Sequence, residues 1–160
     1  MITGIQHFGF TVSNLEDTVH FFRDVLGLEA TPIREAKGER LERMVGMSGL
    51  LMKACDIITP DNGDFELIEY VVPKGKKIDL KTCNIGVAHV ALLVDNIEKM
   101  HDKLKTKGIE FISPPLLVEA GGHKGWRACY LKGPDGITIE LMEAPKGVRL
   151  HPATGFVIDE

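Results

Sequence analysis

Cysteine is scarce in this sequence, and what there is lies apart: Cys55, Cys83 and Cys129 form no C-x-x-C pair. That spacing excludes a zinc knuckle or a thioredoxin-type motif, and an odd number of dispersed thiols fits a reducing compartment. Long apolar runs are missing too. None approaches the roughly 20 residues that cross a bilayer, and Met1-Ile2-Thr3-Gly4 lacks the basic and apolar regions of a secretion signal. The expectation is a cytoplasmic protein with no membrane partner. Charge of one sign is also lacking: 19 Lys and Arg against 23 Asp and Glu give a net charge of −4. Nothing here would attract nucleic acid or an anionic membrane. The densest basic cluster, Lys74, Lys76 and Lys77, reads as a solvated linker. What remains is 160 residues, 44% hydrophobic and 26% charged, enough for one compact domain with a sizeable core.

An internal repeat is the strongest feature present. Gly4-Ile-Gln-His7-Phe-Gly-Phe-Thr-Val12-Ser-Asn14-Leu-Glu16 aligns with Gly86-Val-Ala-His89-Val-Ala-Leu-Leu-Val94-Asp-Asn96-Ile-Glu98 at a constant offset of 98 − 16 = 82. Phe65-Glu66-Leu67-Ile68-Glu69 aligns with Ile139-Glu140-Leu141-Met142-Glu143 at 140 − 66 = 74. Two matches in the same order point to a duplicated module with a longer interior in the first copy. The modules span 2–72 and 85–144 of a single domain covering 1–160. Residues 73–84 form a linker, and 145–160, with Pro145 and Pro152, form a C-terminal extension.

Within each module the pattern predicts a strand, a helix and three or more short strands. Residues 4–12 are β-rich and bounded by Gly and Ser-Asn. Ser13-x-x-Glu16 reads as a capping box, Leu15, Val19, Phe22 and Leu26 follow at helical spacing, and Gly27 supplies a left-handed stop. The second copy repeats the plan with Asp95-x-x-Glu98, then Ile97, Met100 and Leu104, and Gly108. Extended segments are expected near 28–34, 42–47, 50–57 and 64–72, and near 109–112, 115–119, 126–132 and 137–143. Asp61-Asn62-Gly63 and Gly133-Pro134-Asp135-Gly136 read as turns.

Strand parity then sorts the side chains, because neighbours point to opposite faces. Phe8, Phe10 and Val12 share a face apolar enough to pack on the helix, as do Val90, Leu92 and Val94. His7 and His89 leave that face, each with a small residue, Gly9 or Ala91, two positions on. Glu66 and Glu69 lie three apart and face opposite sides, as do Glu140 and Glu143. The mid-strand positions just before a Leu favour Glu66 and Glu140 as the functional pair. Glu69 and Glu143 are left as outer-face or supporting residues. A lone His on a strand is usually structural; His and Glu recurring at matched places in both copies are what point to a metal.

His7, Glu66, His89 and Glu140 together suit Zn, Ni, Co, Mn or Fe(II). Neutral imidazoles donate ring nitrogens, and carboxylates balance part of the charge. A carboxylate that swings off the ion, Glu140 or Glu66, would serve as a base toward a metal-bound substrate. The segment Glu119-Ala-Gly-Gly-His123-Lys124-Gly125-Trp126-Arg127 is glycine-rich and carries the only Trp. It reads either as an ordinary hairpin or as a mobile lid that grips substrate through His123, Lys124, Trp126 and Arg127. His20 and His101 lie on helices and read as surface residues. His151 has no counterpart in the repeat.

The pattern G-I-x-H-x-x-x-x-V-x-N-L-E followed by F-F-R-D-V-L-G-L-E, with G-P-D-G-I-T-I-E-L-M-E in the second half, resembles the vicinal oxygen chelate superfamily. That group includes glyoxalase I, methylmalonyl-CoA epimerase, extradiol dioxygenases, and the bleomycin and fosfomycin resistance proteins. The likeness covers roughly residues 2 to 145. It implies an α+β fold in which paired βαβββ modules curl into a half-barrel with helices on the outer face, and a homodimeric habit. It also implies metal ligands from the first and last strand of each module, the positions of His7, Glu66, His89 and Glu140. The His-Glu-His-Glu set is similar to that of glyoxalase I. However, Phe8, Gly9, Phe10 and Thr11 stand where that enzyme usually has an arginine for glutathione. An Ala120-Gly121-Gly122 loop resembles methylmalonyl-CoA epimerase, a family that usually has Gln where Glu66 stands.

The expected activity is therefore proton transfer next to a metal-bound carbonyl, by an isomerase, epimerase or lyase acting on a small anionic metabolite. An Fe(II) extradiol dioxygenase is the alternative, disfavoured by a fourth protein ligand. A non-catalytic binding protein comes third, since only Trp126, Tyr70 and Tyr130 add stacking surface to the phenylalanines.

Overall fold

The computed structural model describes residues 1–150, so His151 and most of the C-terminal extension lie outside the described residues. The chain divides into two compact units, Met1–Ile78 and Asp79–Glu160, with the division inside the expected linker. Each unit contains one copy of the repeat. The fold class is α+β.

In the first unit, β1 (Gly9–Thr11) leads into α1 (Leu15–His20), which continues as a π-helical segment over Phe21–Leu26. Next come β2 (Glu29–Ala30), β3 (Arg34–Lys37), α2 (Glu39–Val45), β4 (Leu51–Ile58) and β5 (Asp64–Val72). The sheet order is β1-β5-β4-β2, with β3 also paired to β4. β1 runs parallel to β5, and β4 antiparallel to it. The second unit has β6 (His89–Leu93), α3 (Ile97–Thr106), β7 (Leu116–Leu117), β8 (Arg127–Lys132) and β9 (Thr138–Glu143) in the order β6-β9-β8-β7. Again the first strand is parallel to the last.

The helix of each unit covers one face of its sheet. In the first, Leu15, Phe22, Ile57, Phe65 and Leu67 are fully buried, and the Phe22 ring meets Phe65 edge-on at 5.0 Å between centroids. Phe8 stacks on the same Phe65 ring, as its parity predicts. In the second, Ile97, Leu104, Leu131, Ile139 and Leu141 take the corresponding places. Cys55 and Cys129, both buried, are also equivalents, at the offset 129 − 55 = 74. These inward positions are apolar, so their removal from water drives each unit to close on its own sheet.

Several local expectations need correction. The capping residue is Asn14, whose Oδ1 accepts from the Asp17 amide at 3.1 Å, and Asn96, which accepts from Lys99 at 2.8 Å. The cap thus falls one residue after Ser13 and Asp95. Glu16 and Glu98 turn to the sheet instead, pairing with Lys53 and Arg127. The segment 42–47 is not extended: residues 42–45 belong to α2, where Glu39-Arg-Leu-Glu-Arg-Met strings together good helix formers between Gly38 and a left-handed Gly46. Residues 109–112 supply only an isolated bridge from Phe111 to Leu131. His101 is buried, not a surface residue; its ring lies 4.4 Å from that of Phe111 and fills the stripe position assigned to Met100.

Candidate metal centre

The parallel pairing of first and last strand carries each His beside its Glu. In the first unit Gly9 stands opposite Glu66; in the second Ala91 stands opposite Glu140. The histidine two residues earlier shares the face of Gly9 or Ala91, diagonal to the carboxylate. His7 precedes β1 rather than lying within it, but the Glu66 amide donates to the Phe8 carbonyl at 2.8 Å and ties the approach to β5. The outcome is the same in both units. His7 Nε2 lies 3.7 Å from Glu66 Oε2, and His89 Nε2 lies 3.3 Å from Glu140 Oε2. The carboxylates are largely buried, with side chains 15% and 13% exposed, while the imidazoles are 40% and 46% exposed.

Glu69 and Glu143 have a different task. Glu69 Oε2 accepts from the Leu15 amide at 2.9 Å, and Glu143 Oε2 from the Ile97 amide at 2.7 Å. Each carboxylate sits on the far side of its strand from Glu66 or Glu140 and satisfies a free amide at the start of the unit's helix, where the helix dipole also favours a negative charge. Both glutamates of each strand are thus accounted for, one on each face.

The neighbours of the two pairs differ. Asp56 is the cross-strand partner of Glu66, and Tyr130, its repeat equivalent, is the partner of Glu140. Arg34, on β3, joins the first pair. Its Nη1 and Nη2 donate to Asp56 at 2.6 and 3.1 Å, and Nη2 also donates to Glu66 Oε1 at 2.6 Å. Hydrogen bonding to Asp56 and the charges of both carboxylates raise the Arg34 guanidinium above its usual range. In the second unit burial, then the adjacent Glu140 carboxylate, pushes the Tyr130 hydroxyl up, and the Tyr130 ring lies 5.9 Å from that of His89. In the sequence Tyr130 stands out only as stacking surface, and Arg34 not at all. For Tyr130 the parity of 128–132 held the clue; Arg34 lies in the stretch where the copies do not align.

The proposed substrate-gripping residues scatter. Arg127 alternates with the buried Cys129 and Leu131, so it points toward α3, where it pairs with Glu98. This removes the basis for assigning it to the face of His89 and Glu140. Trp126 is 3% exposed and is a core residue rather than a lid surface. The His123 ring meets Trp126 edge-on at 5.1 Å, and Lys124 is exposed.

Each unit thus brings together one histidine and one glutamate, and among the described residues no group of three or more His, Cys, Asp or Glu is gathered to hold a metal ion. The chemistry within each pair fits one. Two donors about 2.1 Å from a cation stand roughly 3.4 Å apart at a tetrahedral angle, close to the separations in both pairs. His7 Nδ1 lies 2.5 Å from the Gln6 side-chain oxygen, and the tautomer that donates there carries its lone pair on Nε2, the nitrogen facing Glu66.

Residues 4–141 match the model of the Glyoxalase/Bleomycin resistance protein/Dioxygenase superfamily. The chain belongs to this family. Within it, the chain is 25% identical over 158 residues to a 2-epi-5-epi-valiolone epimerase from Actinomyces sp., covering 94% of this chain and 84% of the relative. A lactoylglutathione lyase from Arabidopsis thaliana is 24% identical over 138 residues, covering 86% of this chain and 43% of the enzyme. Among solved structures, a glyoxalase family protein from Bacillus cereus superposes with a TM-score of 0.73 at 24% identity, covering 89% of this chain and 95% of that one. A fosfomycin resistance protein from Listeria monocytogenes, solved with Mn(II) and sulfate, gives 0.59 at 18%, covering 91% and 96%. In this glyoxalase-superfamily chain no helix among the described residues is long and apolar enough to cross a membrane.

Proposed function

We propose that this protein is a metal-dependent epimerase, isomerase or lyase that moves a proton on carbon next to a carbonyl, with His7, Glu66, His89 and Glu140 as the metal-ligand set. The observation that supports this most is the matched pairing in the two units, where His7 meets Glu66 and His89 meets Glu140 at the same strand register. A divalent cation held by these side chains would supply Lewis acidity, polarising a bound carbonyl and acidifying the adjacent C–H.

The chain's own groups do the rest. Nε2 of each histidine donates a lone pair. Glu66 and Glu140 would balance part of the cation's charge, and either carboxylate could take the substrate proton. An epimerisation needs one proton removed and one returned to the opposite face of the carbon, and two carboxylates match that requirement. The epimerase from Actinomyces, similar over most of both chains, favours epimerisation over the lyase reaction. The substrate is a small metabolite carrying a carbonyl; a homodimer of cytoplasmic chains, with the ligand set closed in one chain or between two, completes the reading.

The test combines metal content with proton exchange. The purified protein is titrated with Mn(II), Ni(II), Zn(II), Co(II) and Fe(II). It is then incubated in D2O with 2-epi-5-epi-valiolone, hemithioacetals and acyl-CoA thioesters, and followed by NMR. Stoichiometric metal uptake with deuterium wash-in at the carbon next to the carbonyl is expected, lost in Glu140→Gln with the fold intact. A folded protein that binds none of these ions overturns the reading, as does O2 consumption on catechols without exchange.

A further inference from the structure

The two glutamates assigned to the metal are equivalent in the repeat but not in their surroundings. Glu66 Oε1 accepts from Arg34 Nη2 at 2.6 Å, while its Oε2 faces His7. Glu140 has His89 and Tyr130 beside it, and among the described residues it pairs with no lysine or arginine. Arg34 is itself held: Asp56 takes both of its Nη atoms, and Thr31 Oγ1 accepts from the Asp56 amide at 2.9 Å and lies 3.5 Å from Asp56 Oδ2. The guanidinium therefore stays next to Glu66 whether or not the carboxylate leaves it. It also separates two carboxylates, Asp56 and Glu66, that stand directly opposite across β4 and β5. Like charges in that arrangement repel unless a cation lies between them.

We propose that Arg34 is a positioning residue that makes Glu66 the more readily displaced of the two carboxylates in the ligand set, with Glu140 the more firmly held. This rests on the metal-dependent reading above. A cation arriving at His7 and Glu66 competes with a cation the protein already supplies. A Glu66 carboxylate released from the metal would keep its contact with Arg34 Nη2. At Glu140 no such second cation stands among the described residues, so there its carboxylate has no charged alternative to the metal. The division of labour between two repeat-equivalent glutamates follows from one arginine on β3, in the stretch where the modules differ in length.

The experiment measures Mn(II) affinity by calorimetry in the full-length protein and in Arg34→Met, Arg34→Lys, Glu66→Gln, Glu140→Gln, Asp56→Asn and the double variant Arg34→Met/Glu66→Gln, with circular dichroism and thermal melts to establish folding. Removing a charge-assisted hydrogen bond from Glu66 should tighten Mn(II) binding about fivefold to tenfold in Arg34→Met, discounted for the half-exposed guanidinium. Arg34→Lys should restore part of the difference. The gain should vanish in the double variant, because the arginine acts through Glu66. Asp56→Asn should shift affinity the other way, since the whole guanidinium charge then faces Glu66. Glu140→Gln should weaken binding more than Glu66→Gln does. A folded Arg34→Met with unchanged or weaker Mn(II) affinity overturns the proposal and leaves the metal-dependent reading standing, as does a gain that survives in the double variant. Failure of the unaltered protein to bind Mn(II) or any of the other ions overturns both.

Discussion

Glu140 and Glu143 lie three residues apart on β9, and replacing each should break a different property. Glu143 Oε2 accepts from the Ile97 amide at 2.7 Å in a partly buried position at the start of α3. A hydrogen bond to an ionised carboxylate contributes about 1.5–3 kcal/mol, and a negative charge at a helix N-terminus roughly another 0.3–1 kcal/mol. Some of this returns when water reaches the freed amide. Glu143→Ala is therefore expected to cost about 2 kcal/mol and Glu143→Gln, which keeps an acceptor but no charge, about 1 kcal/mol. For a chain of this size about 2 kcal/mol lowers the melting temperature by roughly 4–8 °C. Among the described residues Glu140 bonds to no helix amide, and its carboxylate faces His89 and Tyr130. Glu140→Gln should shift the melting temperature by no more than about 2 °C while losing Mn(II) binding. Melting by circular dichroism and Mn(II) titration, run on the same four proteins, read both properties. A Glu143→Ala variant that melts like the parent but has lost Mn(II) would refute the assignment, because it would put Glu143 on the metal and Glu140 in a supporting role.

Three further outcomes concern Arg127 and the cysteines. Arg127→Met should leave substrate affinity unchanged and cost under about 1 kcal/mol, since it removes only an ion pair with the half-exposed Glu98; a large rise in KM would return Arg127 to the substrate. Thiol labelling at pH 8 should modify the exposed Cys83 at once, and Cys55 and Cys129 only on unfolding. Burial pushes the Cys129 thiol from an ordinary 9.0 up to about 11, with Glu98 and Glu140 adding to the shift. The unfolded chain then loses this proton first, so the stability tied to Cys129 is whole below pH 9.0 and falls as pH rises toward about 11. Urea melts across that range should steepen their loss in the parent and flatten in Cys129→Val; equal slopes would contradict the burial argument.

The repeat was legible because its carriers have fixed spacing. His7 matches His89, and Glu66 matches Glu140, in the sequence alone, and a two-residue period decides which face each strand residue takes. The helices were equally plain from Leu15, Val19, Phe22 and Leu26, and from Ile97 and Leu104. Capping was read one residue early because Ser13 and Asp95 are as good hydrogen-bond acceptors as Asn14 and Asn96; only backbone geometry chooses between neighbours. α2 is hard to see because it is seven residues long and buries nothing, so Leu41, Met44 and Val45 make a stripe of barely one turn. Arg34 was missed for a deeper reason. Its role depends on Asp56 and Glu66, 22 and 32 residues away, brought together by strand pairing that no local pattern reveals. Arg127 illustrates the converse: a cation in a promising loop was given to the substrate until the strand phase turned it toward α3.

The back-to-back glutamates on β5 and β9 also govern where such a chain can change its length. Each strand is a two-sided ruler, with a ligand carboxylate on one side and a helix-anchoring carboxylate on the other, three residues apart. A single inserted or deleted residue between them would turn one of the two to the wrong side and disable either chemistry or stability. Length can vary only where no such double constraint applies. The offset between the copies falls from 82 at the helix start to 74 at Lys53 and Arg127, so the first module's eight extra residues enter between the helix and β4. That excursion holds β3, α2 and Arg34. The part of the molecule free to grow is also the part that supplies the charge by which its two halves differ.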